Sequence, residues 1–470
     1  MNGPAILPNE YCPIPLPEVE RLHHASLRIL EETGLTCHHP EALSLFLKAG
    51  AEIDSEVVRI KPELVEWALK TVPKELTIYN RDLEPVILIG GSRRTSYYGV
   101  GSDSINIYDL VSNKRRKAVL EDIVSGMRLV AGLPNVHFVM SMFVPSDVSA
   151  DRYERHQMRV MLNENIKPIV FTGISADSTQ LAVDMATAVH GSEELTRRPF
   201  IINYVNTITA MKHNKESLQR LLDASRLNIP TIYAPGNSRG TSAPMTVAGM
   251  LALGNAGQLA GLVLSQLACE GSPFILNNPC VGALDMRTMV DLYVSPDGGA
   301  FSLDLAKYYG LAALCSGGAS DAKVFDGQAT ADACMTLFSN TFRGANLIQN
   351  LGYLDSAMTG SLELVVFCNE IISWLKHYLQ PLKISDDRLA LDTIHQVAPT
   401  GDFLASDHTM RYFKEDWYPE LMDRSNYDKW QQGGELTLQA RTNAMARELV
   451  ETSRVEPLPP KTRSRIDSML

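Results

Sequence analysis

Short apolar runs opened by proline recur at an even spacing through the middle of this 470-residue chain. Pro168, Pro199 and Pro230 each begin such a run and stand 31 residues apart, twice over, and another run begins at Pro273. One strand, one helix and two connecting loops take about 30 residues. The spacing therefore predicts a series of strand and helix units.

The number of runs favours a closed barrel over an open sheet. Further apolar runs occupy residues 136–145, 289–294, 312–318 and 346–351, which brings the number of candidate strands to eight. Eight parallel strands close a (β/α)8 barrel, the TIM barrel. A doubly wound open sheet is the alternative, and the even spacing argues against it. The predicted fold class is α/β, with a TIM barrel over residues 131–380.

The chain on either side of this region has other patterns. Residues 17–34, 40–50 and 61–72 carry apolar residues at helical spacing, and the period falls towards two between residues 76 and 109. These segments predict an N-terminal helix and small-sheet subdomain over residues 1–130. Beyond residue 380 the chain is helical and polar, which predicts a C-terminal helical extension over residues 381–470.

Composition bears on partners and location. A net charge of −11 disfavours nucleic acid and anionic membranes as main ligands, because both select basic surfaces. The seven cysteines never form C-x-x-C and indicate a reducing compartment, and the first residues lack the pattern of a signal peptide. Residues 240–269 carry no charge and could cross a membrane, but their glycines and amides favour a buried helix of a soluble fold. We expect a cytoplasmic protein.

The carboxyl ends of the predicted strands, where a TIM barrel places its active site, are rich in aromatic and amide side chains. Asp321 and Lys323 are the charged residues near them. The chain has no H-E-x-x-H, P-loop or G-x-S-x-G motif and no cysteine and histidine cluster at ligand spacing, so we expect no metal site. Any single aromatic side chain here can simply pack in the core of the barrel. As a group, aromatics that alternate with amides suit a quaternary ammonium ligand, because such a ligand binds to the faces of aromatic rings.

Three segments resemble the trimethylamine methyltransferase family: residues 316–340 (SGGASDAKVFDGQATADACMTLFSN), 343–371 (RGANLIQNLGYLDSAMTGSLELVVFCNEI) and 403–434. The resemblance extends to the N-terminal LRILEETGLTC, and so over nearly the whole chain. It implies a TIM-barrel enzyme that passes a methyl group from an amine to the cobalt of a separate corrinoid protein. The archaeal trimethylamine enzymes carry a pyrrolysine, whereas this chain has only standard residues. It is therefore more similar to the non-pyrrolysine branch, in which quaternary amines such as glycine betaine are the donors.

The chemistry of the leaving group favours a quaternary amine independently. Displacement of a methyl group from neutral trimethylamine would expel a very basic amide anion, whereas glycine betaine releases neutral dimethylglycine. Such a donor needs no acid, metal or covalent intermediate, so we expect no catalytic side chain in the usual sense. The enzyme would position the reactants and exclude water.

The hypothesis assigns two sets of substrate-binding residues. The ring faces for the ammonium group are predicted to come from Tyr97, Phe171, Tyr204, Tyr233 and Tyr353. The groups that hold a carboxylate are predicted to be Asn206, Asn277, Gln349 and Lys323. The corrinoid (cobalamin) cofactor is expected to be carried by the partner protein and not bound tightly by this chain.

Several alternatives stay open. The donor can be another quaternary amine, such as carnitine, choline or proline betaine, because a few loop residues select its tail. Lys323 can serve an aldolase-like lyase as a Schiff base, although pairing with a carboxylate is commoner for such a lysine. The chain can also be a non-catalytic betaine-binding protein. Self-association is left open, since helices of small residues pack within or between subunits.

Overall fold

A parallel sheet that closes on itself forms the centre of the molecule, a computed structural model that describes residues 14–278, 280–294 and 301–470. Seven strands pair in parallel, each with its neighbour along one continuous sheet. In chain order these strands are Tyr97–Val100, Ile169–Phe171, Ile201–Asn206, Thr231–Ala234, Phe274–Asn277, Ala313–Ser316 and Leu347–Leu351.

The extended residues 137–139 join the two edges of this sheet. The backbone N–H of His137 donates to the carbonyl of Tyr98 at 2.6 Å, on one edge strand. On the other side, the N–H of Val139 donates to Pro168 and its carbonyl accepts from Val170, at 2.9 and 2.8 Å. With this eighth member the sheet is a closed ring, and the predicted TIM barrel is confirmed.

The identity of one barrel strand differs from the prediction. Residues 289–294 do not enter the barrel, because Val290–Asp291 pairs antiparallel with Leu284 and Asp285 in a separate hairpin. Tyr97–Val100 takes the place instead and pairs with the last strand. An inserted hairpin, Asn106–Tyr108 with Arg115–Lys117, separates this first strand from the next and breaks the regular spacing. The division at residues 130 and 380 stays a prediction, but the first barrel strand precedes it.

A hairpin closes the amino-terminal end of the barrel. Its strands, Glu75–Tyr79 and Pro85–Gly90, cross beneath the ring. Tyr79 hydrogen-bonds the backbone of Pro199, just before a barrel strand. Four buried side chains of the hairpin pack against the inward residues of the barrel strands in one apolar cluster: Leu76, Ile78, Ile87 and Ile89. Since this end is closed, we look for a site at the opposite end, which we call the mouth.

Helices surround the barrel as the repeated units predict. They are Leu120–Ala131, Tyr153–Glu164, Ser178–His190, Ser192–Arg197, Lys215–Arg226, Val247–Ala268, Ser302–Tyr309, Gly327–Phe342 and Leu362–Tyr378. Val247–Ala268 is long and apolar enough to cross a membrane, but 78% of its most apolar window is buried within the fold. It packs so closely on the barrel that a Cβ on Gly261 would lie 2.3 Å from the ring of Tyr233.

The N-terminal segment covers the outside of that long helix. Its helices Leu16–Arg28, Pro40–Lys48 and Pro62–Thr71 all contact Val247–Ala268, which explains how so uncharged a helix is shielded from water. A short π-helix, Ile29–Thr33, and the strands Leu35–Cys37, Glu52–Asp54 and Val57–Arg59 lie between them, as the changes of period predict.

The C-terminal segment is helical, as predicted. Beyond the barrel it comprises Asp386–Leu389, Leu391–Val397, Asp407–Tyr412, Phe413–Glu415, Tyr427–Gln432, Leu438–Thr452 and Pro460–Asp467. Leu438–Thr452 packs on the barrel helices Leu120–Ala131 and Leu362–Tyr378, whereas the preceding short helices bury no residue.

Candidate functional site

Three tyrosines meet at the mouth of the barrel. Tyr204 stands near the end of its strand and is half-buried, with its hydroxyl accepting a hydrogen bond from Gln349 Nε2 at 3.4 Å. The rings of Tyr293 and Tyr353 meet edge to face, with centroids 5.9 Å apart. Burial raises the pKa of all three phenols, so they stay neutral and their rings keep the negative face that attracts cations.

Amide and hydroxyl groups connect these rings. Asn350 Nδ2 donates to the hydroxyl of Tyr293 and, at 3.1 Å, to Ser316 Oγ. Asn350 has a φ of +78°, so the chain turns sharply at the end of the last barrel strand. The neighbouring Gln349 is buried and its Oε1 has no partner among the described residues. This polar row can reorient to bind a ligand carboxylate through its N–H groups.

Asp103 brings a negative charge to the mouth. It lies in the loop after the first barrel strand with a φ of +71°, a conformation that few residues other than glycine adopt. Its carboxylate accepts hydrogen bonds from Ser102 Oγ at 2.8 Å and Thr172 Oγ1 at 3.3 Å. Solvent reaches the side chain through the cavity, but protein surrounds that cavity. Partial removal from bulk water raises the pKa of Asp103, which its two hydrogen bonds and Arg220 oppose.

Arg220 lies behind Asp103 and is buried. Its guanidinium donates to the backbone carbonyls of Gly173 and Tyr204, at the ends of two barrel strands. Burial lowers the pKa of Arg220 to about 10, against the opposing charges of Glu154 and Asp103, so it remains a cation at neutral pH. Because Nη1 and Nη2 are engaged with backbone carbonyls, Arg220 fixes the two strand ends, and Asp103 faces the cavity.

A cavity of about 400 Å³ opens beside Asp103 and Tyr204, within the range of small-molecule sites. It is lined by Asp103, Tyr153, Thr172, Tyr204, Asn206 and Arg220, with Glu216 among the other residues. The buried cation Arg220 is engaged with the backbone, whereas Asp103 and Glu216 present carboxylates to the cavity beside phenol rings. This combination makes the cavity attractive to a positively charged, weakly hydrogen-bonding group.

Some predicted residues do come together here. Tyr204, Gln349 and Tyr353 lie in the mouth cluster, and Asn206 lines the cavity. Asn277 is half-buried and ends its strand in register with Leu314, with its backbone N–H bonded to Gln258 Oε1 at 2.8 Å. Their roles toward a ligand stay predictions.

Three predicted aromatics lie elsewhere. Tyr97 begins its strand and accepts a hydrogen bond from the backbone of Leu88 in the hairpin at the closed end. Phe171 and Tyr233 each follow an inward-facing residue and therefore point outward into the helical shell. The hydroxyl of Tyr233 pairs with His213 Nδ1 at 3.0 Å. The structure does not bring these three rings to the mouth.

Lys323 also lies outside the mouth. Its side chain is 67% exposed, and Nζ contacts a carboxylate oxygen of Asp355 at 3.4 Å and the backbone carbonyl of Asp321 at 2.7 Å. Asp321 itself supports the mouth, because its carboxylate accepts the backbone N–H groups of Tyr293 and Val294. Lys323 Nζ is engaged by these two oxygen acceptors and does not line the cavity beside Asp103, which argues against a role as a Schiff-base nucleophile.

The predicted site residues did not include Asp103, Tyr293 or Asn350, although Asn350 stands among the amide residues at the predicted strand ends. The signal for Asp103 was its place three residues after the strand Tyr97–Val100, which the spacing argument did not include in the barrel. Tyr293 reaches the mouth from a hairpin in the loop after Phe274–Asn277 rather than from a barrel strand. Within the described parts of the chain, no group of three or more histidine, cysteine or acidic residues could hold a metal ion.

Gly101→Ala tests whether the mouth cluster is close-packed. A Cβ at this position would lie 2.3 Å from Tyr353 Cζ and 2.6 Å from Asn350 Oδ1, so both side chains must move. Overpacking of this kind costs about 1–3 kcal/mol of folding free energy. We expect a lower melting temperature by calorimetry and an affinity for the ligand reduced about 10-fold, because a small misplacement disrupts a positioned site. Gly327→Ala, with no atom within 4 Å of the added Cβ, should change neither quantity.

The structure defines a protein of the TIM-barrel class with an aromatic and polar cavity at the open end of the barrel. A profile of the trimethylamine methyltransferase (MTTB) family matches residues 8–469, and the chain belongs to this family of methyltransferases.

Curated relatives agree with that assignment. Glycine betaine methyltransferase of Desulfitobacterium hafniense strain Y51 is 29% identical over 420 residues, 88% of this chain and 87% of the relative. Trimethylamine methyltransferase MttB of Desulfitobacterium hafniense strain DSM 10664 / DCB-2 is 28% identical over 460 residues, 96% of this chain and 92% of the relative. Among solved structures, dihydropteroate synthase from Stenotrophomonas maltophilia aligns with 65% of this chain and 100% of its own, at 11% identity and a TM-score of 0.37.

Proposed function

We propose that this protein transfers a methyl group from a quaternary amine, glycine betaine, to the Co(I) of a corrinoid protein and releases dimethylglycine. The observation that carries the proposal is that Asp103 lines one cavity with Tyr153 and Tyr204 at the open end of the barrel. The similarity to a glycine betaine methyltransferase over 88% of the chain supports the choice of donor.

Asp103 and Tyr204 suit a trimethylammonium group. That group donates no strong hydrogen bond, so charge and ring faces must provide its recognition, with each ring face worth about 0.5–2 kcal/mol. Both residues line the same cavity. The betaine carboxylate would bind the amide N–H groups of Asn350 and Gln349, which in the free protein donate to phenol oxygens.

The proposed reaction requires little acid–base chemistry from the side chains of this protein. When bound at the mouth, the corrinoid supplies a Co(I) nucleophile that accepts the methyl group as a cation equivalent. The carbon–nitrogen electron pair stays on nitrogen, and the leaving amine is neutral without a proton. The chain's residues hold the methyl group in line, keep water from the reacting atoms and neutralise the ammonium charge before transfer.

The rim of the mouth suits a protein-borne acceptor. Large apolar side chains stand exposed on loops that follow the barrel strands, a pattern typical of protein contact surfaces. They are Ile174, Ile208, Met245, Met286 and Met289. Since the hairpin closes the other end of the barrel, the acceptor would approach from this rim, and the corrinoid would stay with its own protein.

The test is methylation of Co(I) cobalamin, followed by its absorbance change, with glycine betaine and trimethylamine assayed side by side. We expect turnover with glycine betaine and none with trimethylamine. Turnover with trimethylamine alone would contradict the leaving-group argument. Turnover only with carnitine, choline or proline betaine would replace the donor and keep the reaction. Binding of betaine without methyl transfer, even with a corrinoid protein present, would identify a binding protein instead.

A further inference from the structure

One carboxylate joins three of the loops that follow the barrel strands. Asp321 is half-buried and lies five residues after the strand Ala313–Ser316. Its Oδ1 accepts the backbone N–H of Tyr293 at 3.1 Å and the hydroxyl of Ser356 at 2.9 Å. Its Oδ2 accepts the backbone N–H of Val294 at 3.0 Å. The donors belong to the loop after the strand Phe274–Asn277 and to the loop after the last strand, so Asp321 ties both to its own loop.

The segment that carries Tyr293 is held to the barrel through Asp321. Leu292 still donates its N–H to a carbonyl of the opposite hairpin strand, at 3.2 Å. The next two N–H groups, of Tyr293 and Val294, both donate to Asp321. At the far end of the ring, the hydroxyl of Tyr293 accepts from Asn350 Nδ2. The ring is therefore fixed at both ends, by a carboxylate at its backbone and by an amide at its hydroxyl.

The other loop bound by Asp321 contains a strained turn. Asp355, Ser356 and Ala357 have φ values of +54°, +52° and +69°, a left-handed conformation that residues other than glycine rarely adopt in succession. Such a turn persists only where its surroundings fix it. The hydroxyl of Ser356 donates to Asp321, and the N–H of Asp355 donates to the carbonyl of Ala322 at 2.8 Å. The loop of Asp321 thus fixes the turn.

These two loops place a pair of rings next to the cavity. The strained turn begins two residues after Tyr353, whose ring lies edge to face with that of Tyr293. The hydroxyl of Tyr353 donates to the backbone carbonyl of Ser102, which immediately precedes Asp103 of the cavity. Asp321 therefore determines how both rings stand relative to the carboxylate that we assign to the ammonium group.

We propose that Asp321 is a positioning residue that holds the rings of Tyr293 and Tyr353 as one side of the ammonium site. Both of its oxygens accept hydrogen bonds, and it is not among the residues that line the cavity beside Asp103. It therefore acts through the rings and not on the ligand. Its negative charge strengthens the bonds that it accepts. The role toward a ligand rests on the proposed function, whereas the positioning of the rings does not.

The position of the Tyr293 ring can be measured without a ligand. With 3-fluorotyrosine placed at position 293 alone, the fluorine NMR spectrum of the otherwise wild-type chain should show one dispersed resonance. Asp321→Asn keeps one acceptor oxygen and should shift that resonance part of the way toward the value of free fluorotyrosine. Asp321→Ala should shift it further and broaden it. An unchanged resonance in Asp321→Ala would overturn the positioning role, whatever the protein binds.

The effect on glycine betaine should lie in binding. Asp321→Ala is expected to raise the Kd about 10-fold, the contribution of roughly one ring face. It should change kcat less than about threefold, because a ring that binds the cation stabilises the ground state. In a Tyr293→Ala background the same substitution should raise the Kd by less than about threefold more, since its main route is through that ring. Fully additive losses in the double variant would contradict this route.

Asp326→Ala is the matched control. Asp326 Oδ1 also accepts two backbone N–H groups, those of Gln328 at 2.9 Å and Ala329 at 3.0 Å, where it caps the helix Gly327–Phe342. Its loss should lower the melting temperature by a few degrees, as the loss of a helix cap does, and leave the fluorine resonance and the Kd unchanged. Equal losses of binding in the two variants would reduce the role of Asp321 to stability alone.

The two measurements fail separately. A wild-type chain that does not bind glycine betaine would contradict the proposed donor and the role of the rings toward it, while the fluorine resonance would still decide whether Asp321 positions them. A raised Kd in Asp321→Ala with an unchanged resonance would make Asp321 an electrostatic partner of the ligand and overturn the proposal.

Discussion

Asp103→Asn is expected to raise the Kd for glycine betaine about 100-fold. Two unit charges about 4–5 Å apart interact by about 3–4 kcal/mol at an effective dielectric constant of 20, and solvent at the open mouth reduces that figure. The asparagine keeps the shape of the side chain while removing the charge. Its amide oxygen can accept one of the two hydroxyl hydrogen bonds made by Ser102 and Thr172, and its amide nitrogen can donate to the other hydroxyl oxygen. Titration calorimetry measures the change.

The kinetic consequence should be smaller than the loss of binding. Positive charge leaves nitrogen as the methyl group departs, so the carboxylate stabilises the bound ammonium more than the transition state. With about half of the charge remaining in the transition state, kcat/KM should fall only about 10-fold, and kcat should stay level or rise. A fall in kcat equal to the fall in kcat/KM would contradict this role.

Two controls separate charge from shape. Glu216→Gln changes another acid of the same cavity, one that is exposed and bonded to Asn214, and should alter the Kd less than about twofold, as expected for an exposed charge. The isostere 3,3-dimethylbutanoate has a neutral carbon in place of the ammonium nitrogen and keeps the carboxylate, so it should bind Asp103→Asn at least as well as it binds the wild type. If that isostere loses affinity in parallel with betaine, the substitution has damaged the cavity and the charge argument fails.

The pH dependence of glycine betaine binding follows from the same carboxylate, that of Asp103. The pKa of Asp103 is raised, chiefly by its partial removal from bulk water. Only the ionised form attracts the ammonium group, so affinity should fall as pH decreases, beginning at a higher pH than the ordinary aspartate value of 3.8 would give. Asp103→Asn should abolish this dependence, and a wild-type affinity that is flat down to pH 4 would count against the assignment.

The barrel could be predicted from the sequence only where its strands recur at a regular spacing. The 31-residue spacing identified the barrel because each repeated unit has its own proline-opened strand. The same argument missed the strand Tyr97–Val100, because an inserted hairpin lengthens its connection, and with the strand it missed Asp103.

The unknown direction of the side chains was a second limit on predicting the site residues from the sequence. Strands of a parallel barrel are apolar on both faces, so sequence alone does not reveal which residues point inward. Val170 and Ile232 face the interior, which turns Phe171 and Tyr233 outward, whereas Ile202 places Tyr204 inward. Successive side chains on a strand point to opposite faces, so a shift of one residue moves an aromatic ring from the barrel interior to the helical shell. Only the register of the strand shows which face each ring occupies.

Tyr204→Ala is expected to raise the Kd for glycine betaine about 30-fold, whereas Tyr204→Phe should stay within about threefold. The alanine removes the ring face, worth about 2 kcal/mol toward a desolvated cation. Phenylalanine keeps that face and loses only the long hydrogen bond from Gln349. Calorimetric Kd values for the three proteins measure the difference.

Tyr233→Phe is the matched control for that result. It removes a phenol bonded to His213 in the outward shell, so it should cost about 1 kcal/mol of folding free energy and leave the Kd unchanged. Equal binding losses in Tyr204→Ala and Tyr204→Phe would assign the effect to the hydroxyl rather than the ring. A ring that binds only the cation stabilises the ground state, so Tyr204→Ala should weaken binding more than it slows methyl transfer at saturation. A protein that must both hold an ammonium ion and release its charge can therefore use only a partial cage, open toward the acceptor.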